Sequence, residues 1–88
     1  APSTGAEIAR AGALLKAGRA VEAIGALDAL DADRLAAHQP YWATRAHALA
    51  ACARTSEADA AFDRAIGLTS DAATRRFLAD AKASISAS

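Results

Sequence analysis

The chain has 88 residues, of which 53% are hydrophobic, and its ten basic and ten acidic residues cancel to a net charge of zero. This length predicts one small domain. A neutral domain lacks the positive field with which proteins attract nucleic acid or an anionic membrane, so we expect neither as a direct partner.

The single Cys52 excludes an intrachain disulfide and a cysteine-based zinc site. One lone cysteine fits a reducing cytoplasm. The sequence contains neither an apolar run of roughly 18 residues, as a membrane span requires, nor a start of the signal-peptide type. We therefore expect a cytoplasmic protein.

Alanine, the best helix former, is the commonest residue, and apolar residues recur at helical spacing along the chain. Five helices are predicted, at about 5–17, 20–30, 40–53, 55–68 and 71–84. Gly18 is expected to end the first, because glycine takes a positive φ without steric cost. Thr55 or Ser56 is expected to cap the fourth helix and Ser70 the fifth. The predicted fold class is therefore all-α, with a short helical turn at 33–37 in the linker.

An internal repeat relates the two halves of the chain. Four pairs of similar residues are each separated by 35 positions, namely Leu14 and Leu49, Arg19 and Arg54, Ala23 and Ala58, and Leu27 and Phe62. A helix-turn-helix unit of about 34 residues is typical of tetratricopeptide repeats. We predict one such domain over 1–88, with a first repeat at about 5–35, a second at about 40–69 and a terminal helix at about 71–85. The alternative is a generic five-helix bundle whose offset reflects alanine richness.

The second repeat carries the landmarks of that family more clearly than the first. Trp42 occupies the aromatic position of the first helix, and Ala58, Phe62 and Ala65 form the small-large-small triplet of the second helix. The first repeat has Glu7 in the position of the tryptophan. Gly18 fits the tight turn, whereas Ala53 replaces that glycine in the second repeat.

The repeat register also predicts a concave groove. Its lining is predicted to be Ile8, Gly12, Leu15, Lys16, Ala43, His47, Ala50 and Ala51. Only Lys16 and His47 are polar, which excludes a clamp of basic and amide side chains for a peptide C-terminus. A shallow apolar groove favours an inserted helix or apolar segment. Two repeats fall short of the about three that usually form a stable stack, so a homodimer through an uncovered face is a further option.

No group of residues forms a catalytic constellation, so we predict a non-enzyme without cofactor or metal. His38 and His47 are the only histidines, and a metal site needs three or four converging ligands. Cys52, late in the third helix, fits a packing role. We interpret Arg75 and Arg76 as part of a solvated face, with contact to an acidic partner segment as the alternative.

Residues 18–78 resemble the C-terminal tetratricopeptide-like extension of a subgroup of bacterial extracytoplasmic-function sigma-70 factors of RNA polymerase. The resemblance depends on four short segments of the sequence, which are Gln39–Trp42, Arg45–His47, Phe62–Ile66 and Arg76–Leu78. Two features depart from the family pattern, which are Ala53, where a glycine is expected, and residues 1–17.

The resemblance implies a non-catalytic regulatory domain that binds protein and makes no direct DNA contact. Its implied partners are the sigma regions of its own chain, RNA polymerase, or an anti-sigma or signalling protein. Two other interpretations stay open, a free-standing tetratricopeptide adaptor and a helical subdomain of a larger enzyme.

Overall fold

The computed structural model describes residues 4–86, which form five α-helices and no strand. The helices are α1 Thr4–Lys16, α2 Ala20–Asp28, α3 Gln39–Ala51, α4 Thr55–Leu68 and α5 Ala72–Ser86. The predicted all-α class with five helices is confirmed, and the helix ends lie within two residues of those predicted.

The helices are arranged in two layers. α2 packs against α1 and α3, α4 packs against α3 and α5, and α1 also contacts α3. We call α1, α3 and α5 the first layer, and α2 and α4 the second layer. The arrangement amounts to two helical hairpins, α1–α2 and α3–α4, followed by a helix that covers the free side of α4.

Residues that are 35 positions apart occupy equivalent places in the core. Ala11, Ala46, Ala23 and Ala58 are all 0% exposed. These small side chains allow the helices of each hairpin to approach closely. The space beside them is filled by Leu27 in the first hairpin and by Phe62 in the second, which are 0% and 1% exposed.

The turns of the two hairpins have the same backbone geometry. Gly18 has φ 79° and Ala53, 35 residues later, has φ 59°. The amide of Arg19 donates to the Leu14 carbonyl at 2.9 Å, and the amide of Arg54 donates to the Leu49 carbonyl at 3.0 Å. Both turns therefore end a first helix through one left-handed residue.

The predicted cap of α4 by Thr55 or Ser56 is wrong. Once the left-handed Ala53 has ended the turn, Arg54 falls at the N-cap position and Thr55 is already helical. Arg54 makes no side-chain cap hydrogen bond, but its guanidinium pairs with Glu57 at 2.6 Å. The hydrogen bond to Glu57 raises the pKa of Arg54.

The predicted cap of α5 is displaced by one residue. Asp71, rather than Ser70, accepts a hydrogen bond from the Thr74 amide at 2.8 Å. It directly precedes Ala72, so its carboxylate is in reach of the free amides of the first turn. The Thr74 hydroxyl and then the Thr74 amide lower the pKa of Asp71.

The linker between the hairpins is held by the second hairpin. Residues 32–37 form turns in which the Leu35 amide donates to the Ala32 carbonyl at 3.2 Å, as predicted for 33–37. Leu35 is buried. The indole Nε1 of Trp42 donates to the Leu35 carbonyl at 2.9 Å and to the Ala36 carbonyl at 3.2 Å. The start of α3 therefore holds the linker in place.

Candidate protein-interaction face

The residues of the predicted groove lie on α1 and α3, the two neighbouring helices of the first layer. Two of these residues, Lys16 and Ala51, are exposed. Five others are partly buried, namely Gly12, Leu15, Ala43, His47 and Ala50. Ile8 is only 6% exposed and belongs to the core, which corrects its predicted place on the groove. The reason is that Ile8 shares with Ala11, one turn later, the face of α1 that packs into the core.

His47 connects this groove to α4 and α5. Its ring is perpendicular to the ring of Phe62, with 5.1 Å between centroids, and lies 5.7 Å from the ring of Phe77. Burial lowers the pKa of His47, so the imidazole is neutral at pH 7. The groove is therefore continuous with an aromatic contact between α3 and α5.

Phe77 is a surface residue that sequence reasoning did not place on the interaction face. It is 63% exposed, and Val21 on α2 is the other large hydrophobic residue that is exposed between residues 4 and 86. Phe77 follows Trp42 by 35 positions. The repeat period therefore contained the signal that Phe77 occupies the aromatic position of a third first-layer helix.

Charge is distributed unequally between the two layers. The first layer carries six basic residues (Arg10, Lys16, Arg45, Arg75, Arg76 and Lys82) and two acidic residues (Glu7 and Asp80), a net charge of +4. The second layer carries one basic residue (Arg64) and five acidic residues (Glu22, Asp28, Glu57, Asp59 and Asp63), a net charge of −4. The neutral chain is therefore polarised across its thickness.

Ion pairs between the layers repeat from one hairpin to the next. Arg45 of α3 pairs with Asp28 of α2 at 2.7 Å. Lys82 of α5 pairs with Asp63 of α4 at 2.6 Å and with Asp59 at 3.9 Å. Asp63 lies 35 residues after Asp28. The hydrogen bond from Lys82 to Asp63 raises the pKa of the lysine.

A cavity of about 350 Å³ lies between α3 and α4, lined by residues other than those of the predicted groove. Its lining comprises Trp42, Arg45, Leu49, Glu57, Ala60, Ala61 and Arg64. The Arg64 guanidinium lies 4.9 Å above the Trp42 ring, and its Nε donates to the Ala36 carbonyl at 3.2 Å. Since its charged groups are already engaged by neighbours, this cavity is better explained by packing than by ligand binding.

The residues considered for chemistry lie apart from one another. His38 precedes α3 as its N-cap residue and Cys52 follows α3 as its C-cap residue. Cys52 is a half-buried free thiol. Among residues 4–86, no three side chains of His, Cys, Asp or Glu converge to hold a metal ion. No helix in this part of the chain has the length and apolar character needed to cross a membrane.

No protein-family model, curated protein or solved structure matches this chain.

Proposed function

We propose that this chain is a non-catalytic tetratricopeptide-like domain that binds protein, and that it is the C-terminal regulatory extension of a bacterial sigma-70 type transcription initiation factor. The observation that carries the proposal is the repeated hairpin turn. Gly18 and Ala53 are both left-handed, and each is followed by an arginine that pairs with a glutamate three residues later. Two hairpins with the same turn at a fixed offset are what a helical repeat array requires.

The first layer supports a binding role. In arrays of helical hairpins, the curvature of the stack creates a concave surface for partners. Here the corresponding face of α1 and α3 is made largely of alanine, glycine and leucine, with Lys16 and His47 as its polar residues. Small side chains leave room for a helix or an extended apolar segment of a partner.

The sigma-factor context is supported by the sequence resemblance over residues 18–78. Ala53 was a departure from that pattern, since a glycine is expected there. Its φ of 59° is the conformation that glycine adopts most easily. The departure is therefore one of residue type, because the turn retains its backbone conformation. The proposed partners are the sigma regions of the same polypeptide, RNA polymerase, or an anti-sigma or signalling protein in the bacterial cytoplasm.

The first test is to read the gene upstream of this segment. A helix-turn-helix region and a polymerase-binding region in the same reading frame are the expected result. A catalytic domain there would instead support a helical subdomain of an enzyme. A reading frame that encodes only this domain would support a free-standing adaptor.

The second test is binding with purified components. We expect the tagged chain to retain separately expressed sigma regions or core RNA polymerase. Ala51→Glu places a charge on the groove and should abolish retention, whereas Ala60→Glu, at an exposed position of the second layer, should not. Absence of retention by the unaltered chain, or equal loss in both variants, would contradict the proposal.

A further inference from the structure

The two faces of α5 have opposite characters. Its inner face packs on α4 through Leu78, which is 1% exposed, and through the Lys82–Asp63 ion pair. The opposite side carries Arg76, Phe77 and Asp80, all of which are exposed. We call the surface formed by Ala73, Arg76, Phe77, Asp80 and Ala83 the outer face of α5.

Phe77 is the apolar centre of the outer face. Its counterpart Trp42 is half-buried, because Arg64 of the following helix stacks on it and the linker accepts its N–H. In the part of the chain that the structure describes, no helix follows α5, and Phe77 remains 63% exposed beside the His47 ring, 5.7 Å away. An exposed aromatic side chain in this setting is typical of a protein interface, where aromatic residues are enriched.

The charges of the outer face complement each other. Arg76 and Asp80 are separated by one helical turn, at equal distances in sequence from Leu78. Neither forms an ion pair within the described range 4–86. An antiparallel copy of α5, centred at the level of Leu78, places each arginine opposite the aspartate of the other copy. This arrangement satisfies both pairs at once, as a two-fold axis requires.

We propose that the outer face of α5 binds the outer face of α5 in a second copy of this chain, antiparallel and across a two-fold axis. Phe77 of each copy packs beside the alanines of its partner, and the two Arg76–Asp80 pairs flank the contact. The interface does not depend on the proposed sigma-factor context. Because one helix pair buries less than the roughly 1,200 Å² of a standard interface, the dimer is weak, with a Kd on the order of micromolar.

The test is sedimentation equilibrium of the full chain over a range of concentrations. The expected result is a reversible monomer–dimer equilibrium. In a dimer of Arg76→Asp, the introduced aspartate of each copy faces Asp80 of the other copy. In a dimer of Asp80→Arg, the introduced arginine of each copy faces Arg76 of the other copy. Each variant alone should raise the dimer Kd by about tenfold or more, because like charges oppose each other. An equimolar mixture of the two variants should form a heterodimer, since every facing pair is then of opposite charge.

Matched controls separate the facing pairs from net charge. Arg34→Asp changes the net charge as Arg76→Asp does, but Arg34 is an exposed linker residue. Arg34→Asp should dimerise as the unaltered chain does. Its mixture with Asp80→Arg should form less heterodimer than the mixture of Arg76→Asp with Asp80→Arg, because one of the two facing pairs then joins two arginines. Phe77→Ala should weaken the dimer, whereas Val21→Ala on the second layer should leave it unchanged. Circular dichroism of every variant verifies that the helices are intact.

Three results would overturn the proposal. The first is a monomer at all concentrations up to about 1 mM, which is beyond the range of a micromolar dimer. The second is an unaltered dimer Kd in Arg76→Asp. The third is an equimolar mixture of Arg76→Asp and Asp80→Arg that stays monomeric. Since none of these measurements contains sigma regions or polymerase, their failure leaves the proposed function standing. Loss of sigma or polymerase binding likewise leaves the dimer standing.

Discussion

The two hairpins share a backbone and differ in the side chains that fill it. In both, alanines at equivalent core positions are completely buried, as Ala23 and Ala58 illustrate. The second hairpin adds aromatic rings where the first has Leu27 and Glu7. Small residues at the helix contacts are therefore common to the two hairpins, and we expect the larger residues to determine how much stability each hairpin contributes.

Among the substitutions that test this comparison, truncation of Phe62 is expected to have the largest effect on the free energy of unfolding. Phe62→Ala should lower the free energy of unfolding by about 3–5 kcal/mol, since a fully buried ring leaves a large cavity. Its equivalent in the first hairpin is Leu27, and Leu27→Ala should cost about 2–4 kcal/mol. Urea unfolding monitored by circular dichroism measures both. A cost below about 1 kcal/mol for Phe62→Ala would contradict its central place in the core.

The hydrogen bonds from the Trp42 indole to the linker have no equivalent in the first hairpin, and substitution of Trp42 tests their contribution to stability. Trp42→Phe retains the apolar ring but removes the N–H that the Leu35 and Ala36 carbonyls accept. We expect a loss of about 1–2 kcal/mol in unfolding free energy, because a part-buried carbonyl loses its partner. Glu7→Gln, at the equivalent position of the first hairpin, should change it by less than about 0.5 kcal/mol. Equal effects of the two substitutions would show that the linker is not held by the indole.

The positions of the helices were predictable from the sequence, whereas their N-caps and the contacts between distant residues were not. Gly18 and the helical spacing of apolar residues indicate the helix ends, because they act within one or two turns. The cap of α4 was missed since the left-handed Ala53 shifts the N-cap position to Arg54, which is a poor capping residue by type. Ala53 itself lacks the glycine that marks such a turn, and only the 35-residue offset pointed to it.

The candidate interaction face was predictable in part. The register placed His47 beside the groove, but its contacts with Phe62 and Phe77 depend on how α5 docks on α4. Ile8 was misplaced because an alanine-rich helix has several weakly apolar faces, and the sequence does not distinguish which one packs. The Arg45–Asp28 pair joins residues 17 positions apart, so no helical spacing could have indicated it.

Exchange of the two turn residues tests whether the hairpins have the same turn. Ala53→Gly should raise the free energy of unfolding by about 1 kcal/mol, because it relieves a side chain in the left-handed region. Gly18→Ala should lower it by a similar amount, since no atom crowds the added methyl group and only the backbone conformation is affected. Chemical denaturation of both variants checks the opposite signs. Destabilisation by Ala53→Gly would mean that Ala53 is not left-handed in solution.

His47 tests the junction of the second hairpin with α5 through the pH dependence of stability. Burial holds the pKa of His47 below its ordinary value of 6.5, so the unfolded chain binds a proton more readily than the folded one. The contribution of His47 to the free energy of unfolding should therefore be constant above pH 6.5. It should fall as the pH drops below 6.5 and level off below the pKa of His47 in the folded chain. His47→Gln should remove that part of the decline, measured by urea unfolding at several pH values. An equally steep decline in His47→Gln would contradict this prediction, because the variant has no imidazole at position 47 and the decline would then come from other groups.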